Sequence, residues 1–577
     1  MNAQELYKTW ANQPNLNESV KHDLNTIKNN PNEINDAFGT NMSFGTAGMR
    51  GLIGAGINRM NIYTVRQATE GLASYMDTLS DEEKKRGVAI SFDSRYHSEE
   101  FAYEAARVLG QHNIKSFVFD DIRPTPELSF AIRHLHAFAG VMITASHNPM
   151  QYNGYKIYGE DGGQMPPKAS DMITSFVRQA EDVFAIEVAD VKELRKQKLL
   201  SVIGEDVDAA YLENVKNVNV NHQLIQEVGK DLKFVYTPLH GTGKIICRRA
   251  LDNVGFKNYS LVKEQAIADP EFPTVDFPNP EFASAFNLAI QLGNQEEADV
   301  LIATDPDADR LGAAVRQPDG SYELMTGNQI ASVLLDYILT AKQDANDLPV
   351  NGAVVKSIVS TELATKIANH YGVEMQNVLT GFKYIAEKIK DFEETNENTF
   401  LFGFEESFGY LIKPFVRDKD AIQSTVLLAE VAAYYKHKGQ TLYDGLQSIY
   451  QLYGYHEEKT ISKSFEGLEG KSKMDNIMNE LRSNPLTEFN GQNVESLEDF
   501  DKSTKTNADG SVEKIQLPQA NVLKYWLADG TWFAIRPSGT EPKIKFYLGT
   551  VDDNQEAVNT KLESYINAVD ALIEQLV

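Results

Sequence analysis

The chain has 577 residues, which at about 150 residues per domain points to roughly four domains, and 42% of them are apolar, enough to exclude a mostly disordered protein. With 55 Lys+Arg against 82 Asp+Glu the net charge is −27, so the overall field opposes nucleic-acid phosphates and anionic membranes, and neither is expected as a partner. Any anionic ligand must be held by local basic groups.

The one cysteine, Cys247, excludes an intrachain disulfide and any Cys-based metal cage. The opening MNAQELYKTWANQPNLNESVK has neither an apolar run nor a small-residue cleavage site, and no stretch approaches the roughly 18 apolar residues that span a bilayer. A cytoplasmic location is expected.

In chain order, GVAISFD (87–93), KSFVFD (115–120) and GVMITASHNP (140–149) form a first set of strand-like runs separated by helix-period segments. LKFVYT (232–237), YSLV (259–262) and DVLIATDPDADR (299–310) form a second, and AVVKSIVS (353–360), EMQNVLT (374–380) and TFLFGFEESFGY (399–410) a third. Alternating strands and helices predict βαβ units around parallel sheets, with functional loops at the strands' carboxyl ends. LKYWLADGTWFAIRPSGTEPKIKFYLG (523–549) instead reads as strands joined by turns, with a hairpin signal at Asp529-Gly530. A final helix carries one apolar stripe from Val558 to Leu576, read as packing. The charged segment SFEGLEGKSKMDNIMNELRS is expected in a linker or peripheral helix. The fold class is therefore α/β: three tandem α/β domains with mixed, mainly parallel sheets (1–205, 206–325, 326–455), then a C-terminal α+β domain (456–577).

Four loops carry chemistry. Asp305, Asp307 and Asp309 follow an apolar run, and residues two apart on an extended chain share a side, so three carboxylates converge and call for a cation. Hard oxygen ligands without Cys or His favour Mg²⁺. An EF-hand is excluded because Arg310 and Arg316 stand where its Gly and Glu belong. The competing reading is an acidic surface loop without metal. Thr144-Ala145-Ser146-His147-Asn148-Pro149 presents a serine at a strand end, with Lys156 ten residues on. Adjacent side chains diverge on extended backbone, which argues against a Ser146–His147 nucleophile–base pair and leaves a nucleophile or phosphate carrier stabilised by a cation, or a plain turn. Arg536-Pro537-Ser538-Gly539-Thr540 offers a guanidinium fork, hydroxyls and flexible backbone N–H groups suited to a phosphate dianion, or else a structural turn. Glu405-Glu406-Ser407 suits sugar hydroxyls, and Arg417-Asp418-Lys419-Asp420 supplies cations, or is a solvated charge run. His240-Gly241-Thr242-Gly243-Lys244 is not a P-loop, since Pro238 replaces its first Gly and Ile245 stands where Ser or Thr must bind metal.

Taken together and in order, from Phe44-Gly45-Thr46-Ala47-Gly48-Met49-Arg50-Gly51 to the Arg536 loop, these motifs resemble the α-D-phosphohexomutase family, particularly its longer phosphoglucomutases. The resemblance implies four domains around a central cleft, Ser146 as carrier of the transferable phosphoryl group, and one Mg²⁺ held by Asp305, Asp307, Asp309 and an oxygen on Ser146. It implies active-site cations at Arg50, Lys156 and Arg310, acid–base work at Lys419, and a sugar loop at Gly381 and Lys383. Glu405 and Ser407 match the pair that binds sugar hydroxyls. Arg536, Ser538, Gly539 and Thr540 match a cradle for the phosphate not being transferred; Thr46, His147 and Arg417 complete the expected substrate-binding set.

The implied activity is interconversion of glucose 1-phosphate and glucose 6-phosphate with glucose 1,6-bisphosphate as activator and intermediate, by a monomer or weak homodimer whose partners are small sugar phosphates. Glu405-Glu406-Ser407-Phe408-Gly409 is the glucose-type pattern, whereas dual-specificity relatives end in Gly-His. Phosphopentomutase, phosphomannomutase and glucose-1,6-bisphosphate synthase stay open as alternatives, as does a catalytically silent sugar-phosphate binder.

Overall fold

The computed structural model describes residues 2–44, 48–465, 470–538 and 543–576. The chain divides into two compact units: 1–325 with 389–394 and 408–439, and 326–388 with 395–407 and 440–577.

The first unit opens with three helices absent from the expectations above, Ala3–Ala11, Glu18–Ile27 and Pro31–Phe38. Each starts at an asparagine, Asn2, Asn17 or Asn30, whose side chain accepts a first-turn N–H and so satisfies a donor that helix geometry leaves unpaired. They bury Trp10, Val20, Leu24, Ile34 and Phe38 against the first core. That core lies on a six-stranded sheet ordered Gly48–Leu52, Tyr152–Tyr158, Ala139–Ile143, Val88–Phe92, Ser116–Phe119, Leu200–Ile203. The last four strands are mutually parallel; the first two are antiparallel additions. Val88–Phe92 and Ala139–Ile143 are buried end to end, which is why they read as unbroken apolar runs.

Because Ala139–Ile143 turns straight back into Tyr152–Tyr158, residues 144–151 form the bend of a hairpin rather than the entry to a crossover helix. The second sheet repeats this device. Its order is Tyr322–Leu324, Leu311–Arg316, Val300–Thr304, Phe234–Thr237, Tyr259–Leu261, and Val300–Thr304 reverses into Leu311–Arg316 through the aspartate loop. Helix Ala421–His437, buried on nearly every side, packs against helix Gly243–Val254 in the same unit.

In the second unit, strand Gly352–Ser357 lies between Glu374–Val378 and Thr399–Glu405, parallel to both. A separate antiparallel sheet is ordered Tyr455–Ser464, Lys543–Asp552, Trp532–Pro537, Leu523–Leu527, Gln492–Asp499, Thr504–Asn507, Val512–Lys514. The Asp529-Gly530 hairpin forms as expected, with Gly530 at φ 81° and Leu527 N–H donating to Thr531 O at 2.9 Å. Helix Gln555–Leu576 buries Val558, Tyr565, Val569, Leu572 and Ile573. Within the charged segment, residues 470–483 are not a linker: helix Gly470–Ser483 buries Met474, Ile477, Met478 and Leu481 against this domain's core, and 466–469 lie outside the described residues. Its charges, spaced between those four, masked a stripe at helical period. Among the described residues no helix is long and apolar enough to cross a membrane.

Candidate active site

Ser146 sits on the first hairpin bend at φ 53°, a left-handed conformation that non-glycine residues enter at a cost. The bend is held from behind. Thr144 Oγ1 accepts the Ser146 N–H at 2.8 Å, and Arg95 donates to the carbonyls of Ser146, Asn148, Pro149 and Tyr152. Asp93 anchors both supports, accepting from Thr144 Oγ1 at 2.6 Å and from Arg95 N–H at 3.0 Å. The sequence reading missed Asp93 and Arg95, although Phe92-Asp93-Ser94-Arg95 has the same strand-then-aspartate form as the metal loop.

The left-handed backbone also corrects the expectation about His147. On extended chain its side chain would diverge from that of Ser146; here His147 Nδ1 lies 3.2 Å from Ser146 Oγ. Burial, then the neighbouring Arg310 and Arg50, hold the imidazole well below the usual histidine range, so it is neutral.

Ser146 Oγ donates to Asp305 Oδ2 at 2.9 Å. Asp305, Asp307 and Asp309 are all buried, and one oxygen of each lies within 4.8 Å of the others. Their convergence does not come from strand alternation. The loop is a tight turn with Ala308 at φ 49°, closed by Asp305 Oδ1 accepting the N–H groups of Asp309 and Arg310 at 3.2 and 3.0 Å. Gly241 packs directly on it: a Cβ there would stand 2.3 Å from Pro306 Cα. The rejected P-loop lookalike is thus a buttress for the aspartates.

Burial and the charges of Asp307 and Asp309 push Asp305 well above the usual carboxylate range. Burial pushes Asp307 up too, but Lys156, the Asp305 side chain and Lys419 together outweigh this and hold it low. Asp307 Oδ1 and Asp309 Oδ1 are buried without a hydrogen-bond partner. Buried oxygens of this kind, in an all-oxygen donor set, fit a hard divalent cation such as Mg²⁺.

Cations ring the cluster. Lys156 Nζ donates to Asp307 Oδ2 at 3.0 Å and lies 4.0 Å from Asp309 Oδ2. Lys419 Nζ lies 3.1 Å from Asp309 Oδ2 and 3.0 Å from Asp418 Oδ1. Arg310 pairs with Glu281 at 2.9 Å, and Arg50 donates to Asn148 Oδ1 at 2.8 Å. Gly409 makes room for Lys419, since a Cβ on it would stand 2.1 Å from Lys419 Cδ. Arg417 goes elsewhere: its fully buried side chain serves the carbonyls of Pro414 and Val416 and the Glu393 carboxylate, which makes it a structural member of its loop.

In the second unit, Gly381 N–H donates to Glu405 Oε1 at 2.7 Å, joining the two halves of the expected sugar site. Lys383 lies 4.9 Å from the Tyr384 ring centre, and burial lowers its pKa. Tyr384 packs on an apolar seam with Ile358, Leu379, Trp532 and Tyr547, and Arg536 lies beside both tyrosines. Ser407 is half-buried in the turn after Thr399–Glu405, and Ser538 N–H donates to Lys543 O at 2.7 Å. Thr46, Gly539 and Thr540 lie outside the described residues.

Four family models match in order: phosphoglucomutase/phosphomannomutase alpha/beta/alpha domain I over 41–183, domain II over 209–320, domain III over 326–453, and the C-terminal domain over 490–560. A phosphoglucomutase of Staphylococcus epidermidis is 40% identical over 553 residues, covering 96% of this chain and 98% of that protein. One from Staphylococcus aureus is 39% identical over 536 residues, 92% and 94% of the two chains. The solved open form of a Paramecium phosphoglucomutase, parafusin, matches the fold with a TM-score of 0.68 at 18% identity, over 93% of this chain and 96% of its own. A family protein from Burkholderia thailandensis matches with a TM-score of 0.65 at 17% identity, over 91% and 97%. Four domain models in sequence, and relatives near 40% identity over almost the whole length, place this chain in the phosphoglucomutase/phosphomannomutase family.

Proposed function

We propose that the chain interconverts α-D-glucose 1-phosphate and glucose 6-phosphate, with Ser146 carrying the transferable phosphoryl group and glucose 1,6-bisphosphate as the intermediate. The observation that carries this reading is Ser146 Oγ, 2.9 Å from Asp305 in a buried three-aspartate cluster ringed by Lys156, Lys419 and Arg310. Relatives named phosphoglucomutase, and the glucose-type run Glu405-Glu406-Ser407-Phe408-Gly409, favour glucose.

In the transfer from phosphoserine, the bond from phosphorus to Ser146 Oγ breaks and one to the sugar hydroxyl forms; the hydroxyl loses a proton and Ser146 Oγ is released. Most of the catalysis is positioning and charge neutralisation. Lys156, Arg310 and Arg50 supply positive charge around the moving group. His147 Nδ1, 3.2 Å from Ser146 Oγ, stands at the oxygen that leaves and so is not the base for the attacking hydroxyl. Lys419, beside Asp309 and Asp418, would do the acid–base work, taking the hydroxyl proton and returning one to the released oxygen. Asp305, Asp307, Asp309 and a Ser146 oxygen would hold Mg²⁺, which polarises phosphoryl oxygens when bound. Glu405 and Ser407 would take sugar hydroxyls in either substrate orientation, with Gly381 and Lys383 beside them. Arg536, Ser538, Gly539 and Thr540 would hold the phosphate that stays. We assign these roles on the domain boundaries 1–205, 206–325, 326–455 and 456–577, to a cytoplasmic monomer or weak homodimer.

The test is turnover of glucose 1-phosphate, mannose 1-phosphate and ribose 1-phosphate side by side, each with Mg²⁺ and a trace of its bisphosphate. Fast formation of glucose 6-phosphate that depends on Ser146 supports the reading. Preference for another sugar, or no turnover by folded protein, overturns it.

A further inference from the structure

Asp307 is held by a residue that lies outside the motifs above. Thr125, the first residue of helix Thr125–His134, donates its Oγ1 to Asp307 Oδ2 at 3.0 Å and its backbone N–H to Asp307 O at 2.9 Å. Main chain and carboxylate of one aspartate are therefore gripped by one threonine, itself fully buried. Lys156 also donates to Oδ2, so both donors fall on the same oxygen and Oδ1 is left with none. That fixes the carboxylate's rotation and leaves Oδ1 as the oxygen available to a cation. The two donors are not equivalent: the lysine adds a positive charge that competes with a metal, whereas the hydroxyl orients the ligand without adding charge.

Thr125 is in turn immobilised. Two residues before it, Arg123 forks onto Asp208 at 2.9 and 3.1 Å, donates its N–H to Phe92 O at 3.1 Å, and accepts from Ser91 Oγ at 3.1 Å through its carbonyl. The strand behind the Ser146 loop is thus strapped, through three residues, to the aspartate. A second threonine makes the same double grip one residue earlier: Thr242 donates N–H and Oγ1 to Pro306 O at 2.8 and 2.9 Å. The difference is chemical, since Thr242 touches main chain alone while Thr125 also reaches a carboxylate. A β-branched side chain, stiff at χ1, suits this better than serine.

We propose that Thr125 is a positioning residue for metal binding, setting the Asp307 carboxylate so that Oδ1 faces a divalent cation. This rests on the reading of Asp305, Asp307 and Asp309 as cation ligands. The experiment measures Mn²⁺ binding to the purified full chain by the electron paramagnetic resonance signal of free Mn²⁺, in wild type and in the Thr125→Val, Thr125→Ser, Thr242→Val and Asp307→Asn variants. Wild type is expected to bind one equivalent, and Thr125→Val to bind about tenfold more weakly. Thr125→Ser should recover most of the loss and Thr242→Val should stay near wild type. In turnover, Thr125→Val should need correspondingly more Mg²⁺ at half activation while its KM for glucose 1-phosphate is unchanged, a split that general loosening of the fold would not produce. Should Thr125→Val fail to fold, Thr125→Ala removes the same hydroxyl without adding a methyl group beside the carboxylate.

A Thr125 variant that folds and binds Mn²⁺ within threefold of wild type overturns the proposal while leaving the metal site standing. An equal loss in Thr242→Val also overturns it, because the effect would then belong to the loop's main chain. Wild type that binds no Mn²⁺, or an Asp307→Asn variant that binds as well as wild type, overturns the metal reading and this proposal with it.

Discussion

The Tyr158 hydroxyl donates to Asp418 Oδ2 at 2.9 Å, and Asp418 through its other oxygen holds the Lys419 ammonium at 3.0 Å. A strand of the first sheet thereby reaches the loop that brings Lys419 to Asp309. Replacing Tyr158 by Phe leaves one oxygen of a buried carboxylate unpaired, at a cost of about 1–2 kcal/mol. Tyr158→Phe should lower the urea midpoint and reduce kcat while KM holds. An unchanged kcat would separate the Asp418 pairing from catalysis.

Ser146→Ala should cut turnover on the order of a thousandfold or more and leave the thermal melt nearly unchanged. It should also take up no label from radioactive bisphosphate, which the wild-type protein should retain on Ser146. Label retained by the alanine variant would remove Ser146 as carrier.

Arg95 is the next test, because its planar fork gathers four carbonyls of the Ser146 bend. Lysine keeps the charge but cannot serve diverging acceptors. Arg95→Lys should lower kcat about 100-fold through misplacement of the serine. Activity close to wild type would show that Thr144 and Asp93 suffice to hold the bend.

For Arg536 the expectation is a binding defect. Hydrogen bonds to a charged group are worth about 1.5–3 kcal/mol, so Arg536→Ala should raise KM for glucose 1-phosphate about 10- to 100-fold. The first-order rate at saturation should fall less. A normal KM would exclude Arg536 from the phosphate cradle.

Lys524 gives a pH signature. It is buried, its Nζ donating to Ile358 O at 2.7 Å and lying 3.5 Å from Glu362, between the Trp526 and Trp532 rings. Burial pulls its amine down to about 8 from the ordinary 10.5. Between those values the unfolded chain binds the proton and the folded chain does not, so stability rises with pH across that window, by at most about 1.4 kcal/mol per unit. Wild type should gain stability relative to Lys524→Met from pH 8 to pH 10 in urea melts. A flat difference would contradict it.

The strand runs of the α/β domains were legible because buried parallel strands are continuous in apolar residues, and 87–93, 140–149 and 299–304 needed no context to be read. The candidate loops could be singled out because each is a contiguous motif. What escaped was whatever depends on the third dimension. The N-terminal helices are short and polar, and only their packing of Trp10 and Phe38 on the first core selects them. The bend at Ser146 is held by Thr144 from within the loop and by Arg95 from 51 residues earlier, and the second of these leaves no signal at 144–149. The Arg417 cation looked like its neighbour Lys419; only the fold sends one into a carbonyl nest and the other to Asp309.

Gly409 would be read from sequence as part of the sugar motif that begins at Glu405. Its missing side chain serves a different purpose, since the stem of Lys419 fills the space a Cβ would take. The two positions are therefore bound by a rule of inheritance. Among related chains, a lineage that acquires alanine or serine at the place of Gly409 has to shorten or relocate the lysine ten residues later, and one that keeps the lysine keeps the glycine.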